Sequence, residues 1–170
     1  MADTKTIKLI KPNMGLTDEQ RQGIAQMLSV TLANQHMLYM KLRKYHWNVT
    51  GPQFRSLHKI FEDMYDDLAE KIDETAEKIR SYGELAPGTF AEFMDMADII
   101  EEPGENPHAR QMVADLVADQ ETMIRRLYEQ IEEADDEYDE AASEDFLIAL
   151  LQMHQEQAWM LRSFLDGEQV

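Results

Sequence analysis

The sequence predicts an all-α fold: a four-helix bundle in which one long crossover, carrying a short extra helix, joins the second long helix to the third. Three observations predict it. Apolar residues recur at three- and four-residue spacing through four long stretches, which marks helices with one buried face. No stretch shows the alternation of a half-buried strand. The first–second and third–fourth joins are short, so each pair is antiparallel, whereas the middle join of about twenty residues can cross the bundle.

Residues 1–16 carry Lys5, Lys8 and Lys11 with little periodicity, and Pro12 and Gly15 interrupt any helix there, so a flexible tail is expected. Residues 17–170 are expected to form a single domain. Thr17 followed by Gln20 is a capping box for the first helix, whose inward stripe is Ile24, Leu28, Leu32, Gln35, Tyr39, Leu42 and His46, ending near Asn48. Gly51-Pro52 then turns the chain, and Pro52 suits the first turn of a second helix that ends around Gly83. Its inward residues are Phe54, Leu57, Phe61, Tyr65, Leu68, Ile72, Ala76 and Ile79. The connector from Glu84 to Asn106 is broken by Pro87-Gly88 and Pro103-Gly104, and Thr89 with Glu92 forms a second capping box ahead of a short helix. Asn106-Pro107 opens a third helix to about Glu133, with Met112, Leu116, Met123, Leu127 and Ile131 inward. The fourth runs from about Glu140 to Leu165 on Phe146, Leu150, Met153, Leu161 and Leu165. One long crossover in four helices is the ferritin-like arrangement.

Composition narrows the chemistry. At 170 residues and 44% hydrophobic, the chain can bury a real core and is too apolar to be disordered. It has no apolar run of membrane-spanning length, and its first residues lack the apolar core of a signal peptide, so a soluble cytoplasmic protein is expected. The absence of cysteine excludes disulfides and thiolate metal sites, leaving imidazole and carboxylate as ligands. A formal net charge of −18 argues against a nucleic-acid surface, which needs clustered Lys and Arg.

The chemistry concentrates between His46 and Glu77. Eight carboxylates lie between Glu62 and Glu77, with only Lys71 to offset them. At about 100° per residue, His58, Glu62, Asp73 and Glu77 project along one edge of the second helix's buried face. Mixed imidazole and carboxylate ligands without thiolate suit Fe(II), Mn(II) or Zn(II), with Fe(II) natural where open positions meet oxygen chemistry. A lone helical histidine is usually a packing or surface residue, and His36, His108 and His154 are assigned no role. Trp47 is read as an interface or core aromatic, and the twelve methionines as packing residues.

Spacing then decides how such a site could be built. Glu62 and Asp73 are eleven residues apart, a helix rise of roughly 16 Å. Metal–ligand bonds are about 2 Å, so no single ion reaches both pairs on one rod. An antiparallel second copy would set Glu62 of one chain against Asp73 of the other, giving a homodimer with two shared sites. The intrachain signature of ferritin-like di-iron bundles, Glu-x-x-His from each of two helices, is absent, which favours that arrangement.

Over residues 17–165 the sequence resembles the Dps miniferritins. The resemblance is carried by HWNVTG at His46 to Gly51, FRSLH ending in His58, Glu62, IDETAEKI holding Asp73 and Glu77, and AWMLRSFL at Ala158 to Leu165. It implies a hollow dodecamer of four-helix subunits with ferroxidase centres at two-fold interfaces. His46, His58 and Glu62 of one subunit, with Asp73 and Glu77 of its mate, would be the catalytic iron ligands. Fe(II) would be oxidised by hydrogen peroxide or O2 and stored as Fe(III) mineral, protecting the cell from oxidative damage; no organic cofactor is expected.

The same resemblance places mineral nucleation near Lys59, a position often acidic in the family, so that nucleation would lean on Asp63. Glu62 stands where many members have Asp. The run from Glu132 to Asp145 holds nine acidic residues and no basic one, and the family's negatively charged iron-entry pores lie in this region. Asp145 matches a pore position, with Glu140 and Glu144 as companions. Three lysines in the tail, against the strongly basic tails of DNA-compacting relatives, argue against DNA binding. The competing readings are a nucleoid-associated protein acting through DNA and a scaffold binding another divalent ion such as zinc.

Overall fold

The computed structural model describes residues 9–166. Within them the chain forms α1 (Asp18–Asn48), α2 (Phe54–Ser81), α3 (Phe90–Met96), α4 (Ala109–Asp136) and α5 (Ala141–Leu165), with no strand among the described residues. The ferritin-like four-helix bundle with a short helix on its crossover is therefore what the sequence adopts. Lys5 and Lys8 of the basic tail lie outside the described residues. Lys11 pairs with Asp18 at 2.5 Å, and Leu16 packs against the core.

Both expected capping boxes form. Thr17 accepts from the Gln20 N–H and receives the Gln20 side chain on its own N–H, and Thr89 and Glu92 repeat the arrangement on α3. Each satisfies two orphan donors of a helix start. Thr17→Ala is expected to cost about 1 kcal/mol, read as a lower denaturation midpoint at fixed protein concentration.

α2 begins two residues later than Pro52. Gly51 adopts φ +106°, and the Phe54 N–H donates to the Gly51 carbonyl, so Pro52 and Gln53 form a tight turn instead of the first helical residues. Phe54 is consequently half-exposed at 46%, where its spacing predicted burial. At the far end, Gly83 takes φ +83°, and its Cβ position would lie 2.5 Å from Pro12 Cδ. Only glycine meets both demands. α4 starts at Ala109 after His108 in extended conformation, later than Asn106-Pro107, and continues three residues past Glu133.

The crossover is tied down by polar anchors. The Asn34 side-chain oxygen on α1 accepts from the backbone N–H groups of Asp98 and Ile99, at 2.8 and 3.0 Å. Arg126 on α4 grips the Asp98 carboxylate with two hydrogen bonds of 2.9 and 2.7 Å, which holds that carboxyl below its ordinary pKa. α3 docks on α1 through Phe93, whose ring stacks on His36 at 3.9 Å.

The apolar core lies in two parts. One surrounds Leu38, Leu42, Tyr45, Leu57, Phe61 and Leu116; the other surrounds Ile24, Leu28, Leu32, Ile79, Leu127 and Leu150. The first part underlies the end of the bundle where α1 passes into α2, and so it positions His46 and His58.

Candidate metal centre

His46 occupies the last turn of α1 and His58 the second turn of α2, brought together by the Gly51 turn. They clasp each other. His46 Nδ1 donates to the His58 carbonyl and His58 Nδ1 donates to the His46 carbonyl, both at 2.8 Å. A carbonyl oxygen can only accept, so each Nδ1 carries a proton, and in the neutral ring each Nε2 keeps its lone pair. The rings stack at 3.7 Å with an interplanar angle of 21°. Histidines that bind metals are held in this way, with one ring nitrogen anchored on a carbonyl and the other left to donate.

The pair sits in an aromatic collar. Tyr65 meets His46 edge-on at 5.3 Å, and Phe54 lies 5.1 Å from His58. His46 is only 8% exposed, so most of its ring is held within the fold. Arg43 lies over the rings of Tyr39, Trp47 and Tyr65 at 5.1–5.5 Å and donates to the Tyr39 hydroxyl at 2.6 Å. Trp47 therefore does not simply fill the core; it stays 57% exposed and covers a guanidinium. The spacing of Arg43, four residues from both Tyr39 and Trp47, is the signal in the sequence that could have revealed this cluster.

Glu62 follows His58 by one helical turn but is drawn aside. Lys59 bridges Glu62 at 3.0 Å and Asp63 at 2.7 Å. Asp63, the residue marked for nucleation, is thus neutralised by the basic residue beside it. Asp73 and Glu77 lie further along α2, exposed, and no hydrogen bond or ion pair among the described residues holds either. One chain therefore joins two of the five expected ligands, sets Glu62 a turn away, and leaves Asp73 and Glu77 several turns along a straight rod. Among the described residues of a single chain, no three His, Asp or Glu side chains gather closely enough to hold an ion.

The acidic run near α5 is more structured than its composition suggested. Glu140 caps α5, accepting from the Ser143 N–H at 2.6 Å and from the Tyr82 hydroxyl at 2.5 Å. Burial, the largest single influence, pushes its carboxyl pKa up, but the Tyr82 and Ser143 hydrogen bonds and nearby Lys78 outweigh it and leave the carboxyl below its ordinary value. Its carboxylate is turned to the fold. Glu144, on the first turn of α5, is half-buried, and Asp145 beside it is exposed.

A groove of about 520 Å³ beneath the crossover is lined by Lys41, Tyr45, Asp115 and Asp119. Two pairs close across it, Lys41 with Asp119 at 2.7 Å and the Tyr45 hydroxyl with Asp115 at 2.8 Å. It lacks the histidines that the metal chemistry needs.

Comparison with known proteins agrees with this architecture. Residues 25–169 match the family model described as a ferritin-like domain. The chain is 45% identical over 158 residues to a low temperature-induced protein of Nostoc sp. (strain PCC 7120), covering 93% of this chain and 88% of that protein. It is 35% identical over 143 residues to the DNA protection during starvation protein 2 of Bacillus anthracis, covering 84% and 97% respectively. Among solved structures it superimposes on the Dps protein of Vibrio cholerae O1 with a TM-score of 0.84 and 29% identity, covering 94% of this chain and 99% of that one. That protein is described as a member of a broad superfamily of ferritin-like diiron-carboxylate proteins.

Proposed function

Because the chain belongs to the Dps family of ferritin-like proteins, we propose that it is a ferroxidase and iron-storage miniferritin whose oxidation sites are shared between two copies. The observation that carries the reading is the reciprocal clasp of His46 and His58, which leaves two Nε2 lone pairs side by side at the edge of α2. With Glu62 they form one half of a site. Asp73 and Glu77 of an antiparallel copy supply the other half and compensate the charge of the iron. Fe(II) is the substrate. Two Fe(II) each release one electron to one hydrogen peroxide, whose O–O bond breaks to give two waters after proton uptake, so no hydroxyl radical leaves the site. The Fe(III) is stored inside a hollow homo-oligomer, a dodecamer in this reading. O2 is the alternative oxidant. Asp145, with Glu144, provides negative charge for iron entry; Glu140 contributes through its cap, by holding that turn in place.

The reading is tested by anaerobic titration with Fe(II) and with Zn(II), followed by peroxide, and by crystals soaked in Fe(II). Iron-specific anomalous scattering is expected between His46 and His58 of one chain and Asp73 and Glu77 of its mate, with peroxide consumed at one per two irons. Zinc binding with no oxidation of added iron would instead identify a non-catalytic divalent-ion scaffold.

Lys59 provides a graded check. Lys59→Gln frees Glu62 and Asp63 from their ion pairs and should speed initial Fe(II) oxidation a few-fold at low salt, with the gain fading as salt rises. The effect is small because Lys59 and Asp63 are both well exposed. Stopped-flow absorbance at two ionic strengths measures it.

The names of the Bacillus anthracis and Brevibacillus brevis relatives, which speak of DNA protection during starvation, favour a second reading, in which this chain binds DNA. It predicts gel retardation at low salt that disappears when residues 1–15 are removed; no retardation would eliminate it. No helix is long and apolar enough to cross a membrane among the described residues, and we place the protein in the cytoplasm.

A further inference from the structure

The two halves of the apolar core are separated by a polar layer at the waist of the bundle. On α1, Gln35 falls between Leu32 of one half and Met37 of the other. On α5, His154 and Gln157 fall between Leu151 and Leu161, and Gln120 reaches them from α4. All four side chains are buried, at 0% exposure for Gln35, Gln120 and His154 and 1% for Gln157. Three are linked in a chain. Gln120 Nε2 donates to Gln157 Oε1 at 2.8 Å, and Gln120 Oε1 lies 2.6 Å from His154 Nδ1.

Gln120 uses its amide nitrogen on Gln157, so its oxygen faces His154 and can only accept; Nδ1 therefore carries the proton and Nε2 is a bare acceptor. Four atoms are left without a protein partner: His154 Nε2, Gln157 Nε2, and both Gln35 Nε2 and Gln35 Oε1. Two are N–H donors and two are acceptors. Native interiors rarely leave even one such atom unpaired, and here four belong to buried side chains flanked by residues of the two core halves.

We propose that this waist is a built site for ordered water, held by His154, Gln157 and Gln35. Water is the ligand whose chemistry closes the set, since it donates to His154 Nε2 and Gln35 Oε1 while accepting from the two amide nitrogens. A divalent cation does not fit. Every group in the layer is neutral, no carboxylate belongs to it, and an ion there would be an uncompensated charge in an apolar interior. Ferritin-like bundles with an intrachain di-iron site project glutamates and Glu-x-x-His into this interior; this chain projects amides and a neutral imidazole. The layer at the waist thus suits water and not a metal ion, and this conclusion stands whether or not the interfacial site oxidises iron.

The test is a crystal structure of the full-length, metal-free assembly at a resolution that shows ordered water, repeated after soaking in Fe(II). Expected in both is non-anomalous density within about 2.6–3.2 Å of His154 Nε2, also in reach of a Gln157 or Gln35 amide. A dry layer, in which Gln35 or Gln157 turns to bond His154 Nε2 directly, would overturn the proposal. So would anomalous density at the waist after the soak.

Discussion

Asp73→Ala together with Glu77→Ala is expected to lower fast Fe(II) oxidation by more than about a hundredfold while the oligomer still assembles. The size follows from the ligand count. Losing a supporting partner of a metal ligand already costs about 10–100-fold, and here the carboxylate half of the site is gone. Assembly is expected to survive because both side chains are exposed and hold no partner among the described residues of their own chain, and substitutions at such positions change stability by about 0.5 kcal/mol or less. The sharper version mixes this variant with His46→Ala/His58→Ala. Each is inactive alone. At an interface between the two kinds of subunit, one site receives intact histidines from the first and intact carboxylates from the second, whereas the other receives neither. Co-refolded mixtures should therefore recover activity, up to half of the sites at each mixed interface. Wild-type rates in the carboxylate variant, or no recovery on mixing, would sink the shared-site reading.

The second large effect is in acid, and it comes from His154. Burial pushes this imidazole's pKa down to about 3 from an ordinary 6.5. In the unfolded chain it takes up a proton below about pH 6.5, whereas in the folded chain it stays neutral. The unfolded state thus binds more protons in this window, so the stabilisation is fully present above pH 6.5 and is lost as pH falls from 6.5 towards 3. The slope is about 1.4 kcal/mol per pH unit from this one group. Denaturant midpoints at pH 6.5, 5.5 and 4.5, at fixed protein concentration, measure it. His154→Gln, a neutral amide in the same neutral layer, should reduce the slope by that amount. Carboxylates titrating in the same range contribute to both proteins and cancel in the difference. An unchanged slope in the variant would show that the folded chain takes up a proton on this ring as readily as the unfolded one.

His154 also shows where reading the sequence stopped short. One histidine among inward-facing leucines has no visible partner in sequence, because Gln120 lies 34 residues away on another helix. Its neighbours in space are set by the stacking of α4 on α5. The same is true of Glu140. The family resemblance made it a companion of a pore position, and the structure adds that its carboxylate is held by Ser143 and by Tyr82, which belongs to a distant turn. Lys59 was legible as a departure from the family pattern, but its grip on Glu62 needed side-chain positions. Phe54 satisfied the helical spacing and still came out half-exposed, because the Gly51 turn delayed the start of α2.

The sequence alone determined the quantities that backbone geometry makes local. Helical periodicity identified four rods and the face each buries, the capping boxes at Thr17 and Thr89 marked two starts, and the absence of cysteine limited the ligands to imidazole and carboxylate. A constant rise per residue also fixed the separation of Glu62 from Asp73, which puts the two beyond the reach of one ion on a single helix. Only the tertiary structure decided which atoms are free to act. The turn at Gly51 brings two carbonyls within 2.8 Å of two Nδ1 atoms and so leaves both Nε2 lone pairs open, while packing at the waist leaves four polar atoms without partners. Hydrogen bonds are short-ranged and directional, so they depend on how helices distant in sequence come to rest against one another, which no local pattern records.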